Sequence, residues 1–312
     1  MLTLIGPHPD DGARFLDLID SLCTYEPHVA AIIVADDSDS GSRLKTQIRV
    51  PDGCEVVFLR NPNSSRDFLS LGRNVLMGLE YIKSSLPVQF IVKLDSDALV
   101  ISPFSARIAT RLGGQPDAGM LGLLSNSCNR SRSSFHAQDE LKGFMEELLK
   151  MGSCDDAAAE QLLRRWPSGA RRTVAGLRQF CKRFEQLAGA RFIGKHCNGG
   201  AYAVSATMIN RMASLELFAD REMWSQFPYS EDRMMGLYCA LCGLQPCDFS
   251  DREQVFGTQS SGLAYAPQDL VDRGYGIIHS VKNDPQLTEP EIREWFRWQR
   301  RRLRNSRGES EF

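Results

Sequence analysis

The sequence predicts an α/β protein built on a doubly wound, mostly parallel sheet with flanking helices. Three observations carry this. Short runs rich in Val, Ile and Leu recur between Leu2 and Leu94, segments of helical periodicity separate them, and polar turns close them. The 312 residues are 42% hydrophobic and 24% charged, the balance of an ordinary globular protein of one large or two smaller domains. The net charge of −2 provides no whole-molecule field for nucleic acid, so no nucleic-acid partner is expected.

Leu2 to Gly6 form a first strand, turned by Pro7-His8-Pro9-Asp10-Asp11-Gly12. Phe15, Leu18, Ile19 and Leu22 repeat at helical spacing. Val29 to Val34 make a second strand that runs into Ala35-Asp36-Asp37-Ser38. A third, Val56 to Leu59, stops at Arg60-Asn61-Pro62, and a helix follows over Leu71 to Ile82, carrying Gly72-Arg73-Asn74. The fourth run, Phe90 to Leu94, holds one charge, Lys93, and ends in Asp95-Ser96-Asp97.

In a parallel sheet all C-terminal strand ends share one edge, so Asp36-Asp37 and Asp95-Ser96-Asp97 face one crevice. Two hard oxygen donors one residue apart suit Mg²⁺ or Mn²⁺, ions that share their coordination with substrate phosphates. Two solvated acidic turns are the plainer alternative.

This order of strands and motifs resembles the GT-A type nucleotide-sugar glycosyltransferases, in particular the large family 2-like group of inverting, metal-dependent enzymes that includes spore-coat and polysaccharide-forming members. The resemblance spans about residues 1–104 and 191–283. It implies that Asp36 and Asp37 contact the nucleoside and that Arg73 and Asn74 lie near base and ribose. Asp95 and Asp97 would hold the cation that bridges the diphosphate; Pro7, Arg66, Lys93, Asp95 and Ser96 join the donor-binding candidates.

Residues 126–190 interrupt this pattern with amphipathic segments, one through Leu141, Phe144, Met145 and Leu148 and one through Val174, Leu177, Phe180, Phe184 and Leu187. They read as a helical insertion whose basic second half is a solvated face or a collar for an anionic acceptor. The scaffold resumes at Arg191. Gly199-Gly200 before Ala201-Tyr202-Ala203-Val204 allow close backbone approach to a ligand, or simply turn an edge strand.

Ser230-Glu231-Asp232 opens a helix, where acids complement the dipole. A carboxylate there could also act as a general base toward an acceptor hydroxyl. The resemblance assigns that role to Asp232, with Glu231 second, and makes a late histidine, His279, the third metal ligand, with Lys282 on phosphate. It also places Gly199 and Gly200 against the sugar.

Thr288-Glu289-Pro290-Glu291 has capping-box spacing and starts a basic amphipathic C-terminal helix with Ile292, Trp295, Phe296 and Leu303 on one face. Docking on the domain is its default; an anionic membrane surface also suits a basic helix with aromatics. The organisation expected is therefore 1–125 nucleotide-sugar binding, 126–190 insertion, 191–287 acceptor binding and catalysis, and 288–312 the C-terminal helix.

Nine irregularly spaced cysteines read as free thiols, including Cys239 and Cys242 in an apolar helical pattern. The chain opens on a strand and no apolar run reaches membrane-spanning length, so a cytoplasmic protein is expected, at most peripheral at the inner membrane face.

The function expected is transfer of a sugar from a nucleotide-diphosphate donor, a UDP-sugar above all, to a glycan, lipid-linked or other hydroxyl acceptor with inversion. Two alternatives stand beside it. Pro7-His8-Pro9-Asp10-Asp11 resembles the zinc turn of N-acetyl-sugar deacetylases, although Gly12 replaces that family's Glu. A non-catalytic nucleotide-binding module would share the sheet, but would be expected to lose either Asp-x-Asp or Glu-Asp.

Overall fold

A computed structural model describes residues 1–6, 8, 10–37, 41–61, 69–124, 195–224, 230–250, 255–259 and 261–308. The insertion expected over 126–190, and the candidates Pro7 and Arg66, lie outside the described residues.

The first half alternates strand and helix as its periodicity requires. β1 (Leu2–Ile5), β2 (Ala31–Asp36), β3 (Glu55–Arg60) and β4 (Phe90–Asp95) are separated by α1 (Asp11–Tyr25), α2 (Gly41–Gln47) and α3 (Leu69–Ser85). β1 pairs in parallel with both β2 and β4, and β2 with β3. β5 (Leu99–Val100), α4 (Ser105–Gly114) and β6 (Ala118–Gly122) follow. β7 (Ala201–Ser205) then inserts between β4 and β6, antiparallel to both, and β8 (Gln245–Asp248) pairs in parallel with β6. The seven-stranded order is β3-β2-β1-β4-β7-β6-β8, a mostly parallel sheet with one reversed strand.

Between β7 and β8 come α5 (Ala206–Ser214), a short 3₁₀ turn at Leu217–Asp220, α6 (Arg221–Trp224) and α7 (Glu231–Leu241). β9 (Phe256–Thr258), α8 (Pro267–Asp272) and β10 (Ile277–His279) precede the long α9 (Glu289–Arg307). β5, β10 and β9 form a small three-stranded sheet in that order.

Both faces of the large sheet are buried, as a parallel sheet requires. Leu2, Leu4, Ile33, Val75, Leu79, Met234 and Leu237 belong to the cluster on one side; Ile5, Phe15, Leu18, Ile32, Val34 and Leu94 belong to that on the other. Cys239 and Cys242 are buried free thiols in the first cluster.

The basic C-terminal helix lies on α1. Its capping box is formed, with Thr288 Oγ1 accepting from the Glu291 amide and Glu291 accepting from the Thr288 amide. Ile292 and Phe296 are buried in a third cluster with Leu99 and Ile278. The arginines that flank this stripe do not all face solvent. Arg293 and Arg300 are buried and both donate to Asp17, at 2.8 and 2.5 Å. Arg300 and Arg304 donate to Asp20, and Arg14 of α1 donates back to Glu289. No helix among the described residues is long and apolar enough to cross a membrane.

Candidate active site at the C-terminal edge of the sheet

β4 delivers Asp95 and Asp97 to the C-terminal edge, and the end of β10 delivers His279 to the same point. Side-chain ligand atoms of Asp95, Asp97 and His279 all lie within 4.8 Å of one another, the one such group of three among the described residues. His279 Nε2 is 3.1 Å from Asp97 Oδ1 and 3.7 Å from Asp95 Oδ2. The other ring nitrogen, Nδ1, lies 3.0 Å from the Gln259 carbonyl oxygen. A carbonyl only accepts, so Nδ1 carries a proton and Nε2 is the nitrogen turned to the carboxylates. That tautomer, fixed by a backbone acceptor, is the arrangement in which histidine ligates metals.

Two carboxylates and one imidazole whose ligand atoms lie within 4.8 Å of one another form a donor set that fits Mg²⁺ or Mn²⁺. Lys282 Nζ pairs with Asp97 Oδ2 at 2.8 Å. Burial opposes the charge on Asp97, but the neighbouring His279 and Lys282 outweigh it and hold the carboxyl well below its ordinary range. Burial likewise opposes charge on the imidazole, and Asp97 foremost holds its protonated form above the ordinary histidine value.

The paired glycines explain how His279 can sit here. A Cβ on Gly200 would fall 1.9 Å from His279 Nδ1, so only glycine leaves room for the ring. The Gly200 carbonyl also accepts from the Asp95 amide at 3.0 Å. A Cβ on Gly199 would meet Glu231 Oε1 at 2.9 Å and Asp232 Oδ2 at 3.2 Å. The turn therefore packs between the metal candidates and the acids of α7.

Ser230 stands at the N-cap of α7 with extended backbone, but its side chain makes no cap bond to the helix. Its hydroxyl donates instead to Asp232 Oδ1, which also accepts from the Arg233 amide at 2.8 Å. Oδ2 of Asp232 is thus the oxygen presented beside Gly199. Glu231 is buried and accepts from Lys93 at 2.8 Å. Burial pushes its carboxyl up to about 7, against the pull of Lys93. Burial also opposes charge on Lys93, yet the carboxylates of Asp95 and Glu231 outweigh it and keep the ammonium above the ordinary lysine range.

The nucleoside candidates form a neighbouring cluster one strand away, since β1 lies between β2 and β4. Asn74 of α3 donates to Asp37 Oδ2 at 2.6 Å and itself accepts from Asn61 at 2.9 Å. Asn74 and Asn61 are both buried, so Asn74 orients Asp37 from behind. Asp37 Oδ1 is a buried acceptor with no hydrogen-bond partner among the described residues. Asp36 is buried beside it, Arg73 is half-buried on α3, and Ser96 is buried in the Asp-x-Asp turn.

The structure thus gathers Asp95, Asp97, Gly199, Gly200, Glu231, Asp232, His279 and Lys282 around one point, and Asp37 with Asn74 around a second. Lys93, expected among the donor contacts, is 1% exposed with its ammonium on three protein acceptors, so it lies beneath the site. Sequence reasoning missed Gln259, which acts through its backbone and leaves no side-chain signal, and Asn61, whose strand-end position was the only hint.

His8, Asp10 and Asp11 are organised differently. His8 Nδ1 accepts from the Asp10 amide, Asp11 pairs with Arg14, and these residues form no three-ligand group. That arrangement gives the deacetylase alternative no metal centre among the described residues.

The fold is similar to that of a solved glycosyltransferase. The apo structure of WbbM, a bifunctional glycosyltransferase, matches with a TM-score of 0.51 at 12% identity, over 95% of this chain and 48% of that one. A mannosyltransferase, PcManGT from Pyrobaculum calidifontis in complex with GDP-Man and Mn²⁺, matches with a TM-score of 0.41 at 11% identity, over 80% of this chain and 55% of that one. The chain spans about half the length of these solved chains. No protein-family model and no curated protein matches it. At 12% identity the likeness to WbbM establishes a shared fold, and residue roles rest on the geometry above.

Proposed function

We propose that this protein is a metal-dependent glycosyltransferase that moves a sugar from a nucleoside-diphosphate donor, a UDP-sugar in the first instance, to an acceptor hydroxyl with inversion. The observation that carries the proposal is the convergence of Asp95, Asp97 and His279 on one point, facing Glu231–Asp232 across the Gly199-Gly200 turn. The fold shared with WbbM, a glycosyltransferase, agrees with the same reaction class by analogy.

Asp95, Asp97 and His279 would hold Mg²⁺ or Mn²⁺, which when bound supplies positive charge to the diphosphate leaving group. The residues of the chain do the rest. Asp37 Oδ1, an acceptor without a partner among the described residues, receives an N–H or O–H of the nucleoside, and Asn74 keeps it aimed. Lys282, half-exposed at the rim, is the cation within reach of a phosphate oxygen. Asp232 Oδ2 accepts the acceptor hydroxyl proton as that oxygen attacks the anomeric carbon, and the bond to the diphosphate breaks in the same step. One displacement inverts the configuration.

The test is a screen of UDP-, GDP- and dTDP-sugars with Mn²⁺ or Mg²⁺ and simple sugar acceptors, with the product anomer read by NMR. Inverted product from one of these donors is the expected result; a retained anomer would refute the single displacement.

A further inference from the structure

Lys93 occupies an unusual place for a lysine. It sits within β4 between Val92 and Leu94, 1% exposed. A buried ammonium persists only where acceptors replace its water. Here they are Asp95 Oδ1 at 2.5 Å, the Gly199 carbonyl at 2.5 Å and Glu231 Oε1 at 2.8 Å. They come from the Asp-x-Asp strand, the glycine turn and the first turn of α7, elements 106 and 138 residues apart from Lys93 in the chain. All three N–H groups are engaged, and the Tyr202 ring closes one side at 5.5 Å from Nζ.

Two consequences follow with opposite signs. The lysine holds Asp95 and Glu231 together, although both are acids and would otherwise repel. It also puts a positive charge on one oxygen of Asp95 while the other oxygen faces His279. A cation held by Asp95, Asp97 and His279 would be repelled by that charge.

We propose that Lys93 is a positioning residue that sets the separation between Asp95 and the Glu231–Asp232 pair and moderates the affinity of the Asp95–Asp97–His279 group for a divalent cation. The part concerning Asp232 rests on the glycosyl-transfer proposal, whereas the metal part needs only the cation.

The experiment compares wild type with Lys93→Met, Lys93→Arg and Glu231→Gln. Free Mn²⁺ is counted by electron paramagnetic resonance, folding is followed by melting, and kcat and KM are measured for donor turnover. Lys93→Met is expected to bind Mn²⁺ about tenfold more tightly, because the repelling charge is gone. Its kcat is expected to fall about 100-fold with a much smaller change in donor KM, because the acids of α7 lose their placement. Lys93→Arg, which keeps the charge, and Glu231→Gln, which keeps the lysine, should not tighten Mn²⁺ binding.

A merely structural lysine would weaken metal binding and turnover together when removed. Equal or weaker Mn²⁺ affinity in folded Lys93→Met therefore overturns the proposal, and so does a full kcat. Should Lys93→Met not fold, Lys93→Met/Glu231→Gln, which also lacks the buried countercharge, carries the same Mn²⁺ comparison. If wild type turns over no nucleotide sugar, the glycosyl-transfer proposal fails, while the Mn²⁺ comparison still decides the role of Lys93.

Discussion

His279 Nδ1 lies 3.0 Å from the carbonyl oxygen of Gln259, and this contact determines which side of the imidazole meets Asp95 and Asp97. The strand pairing supports it, because β10 runs parallel to β9 with His279 opposite Thr258, one residue before Gln259. The ring is therefore aimed by backbone geometry and needs no second side chain.

Removing that nitrogen should remove the cation. His279→Ala is expected to weaken Mn²⁺ binding at least about tenfold, the scale seen when even the outer support of a metal ligand is lost. Isothermal titration with Mn²⁺ checks this, and unchanged affinity would place the cation elsewhere.

Gly200→Ala should act on the same site through space alone. The added methyl would overlap the imidazole, whose Nδ1 is 1.9 Å from the Cβ position. Either the ring leaves its place or the turn moves, so the variant should lose metal affinity and about 1–3 kcal/mol of stability. Melting and Mn²⁺ titration of one preparation measure both.

Asp17 is the hub that fastens α9 to α1, accepting from Arg293, Arg297 and Arg300 while itself buried. Asp17→Ala strands two buried guanidinium groups, which costs about 3 kcal/mol, the lower end of the range for a broken buried pair. The lower end applies because Arg293 keeps Glu289 and Arg300 keeps Asp20. Denaturant unfolding supplies the number. A loss within experimental error would show that α9 is held by its apolar stripe alone.

The same helix should loosen in acid. Burial alone would raise the Glu289 carboxyl, but hydrogen bonds from Arg14 and Arg293 outweigh it and hold it below its ordinary 4.5. A carboxyl lowered in the folded state contributes stability that is full above the unfolded value and is lost as pH falls through the folded one. Hydrogen exchange of α9 amides, corrected for intrinsic rate, should therefore be flat from neutral pH to about 5 and rise below 4.5. Glu289→Gln should reduce that rise.

Much of the sheet was legible because its strands are continuous apolar runs of the right length. The run at Phe90–Leu94 became β4, and the acids after it stand at the strand end. The boundaries moved by a few residues, as with Val29–Val34 against Ala31–Asp36, because pairing with β1 and β3 rather than apolar content sets where β2 begins and ends. The reversal of β7 and its insertion beside β4 leave no local trace, since an antiparallel buried strand has the same composition as a parallel one.

Site residues divide in the same way. Asp95, Asp97, Asp232 and His279 stand out as chemistry-bearing types at strand or helix ends. Lys93 reads as a donor contact, because its partners Gly199 and Glu231 are remote in sequence. Arg293 and Arg300 read only as basic residues around an apolar stripe for a similar reason, since Asp17 and Asp20 lie on a helix at the other end of the chain.

The central claim is that Asp95, Asp97 and His279 hold a cation on which consumption of a nucleotide sugar depends. The most direct measurement is release of nucleoside diphosphate from a panel of nucleotide sugars, with Mn²⁺ and with chelator, for wild type and for Asp97→Asn. Release by wild type that requires the cation, and that falls at least about 100-fold in Asp97→Asn while the fold is retained, is the predicted result. Release that persists under chelation, or an Asp97→Asn protein as active as wild type, would contradict it.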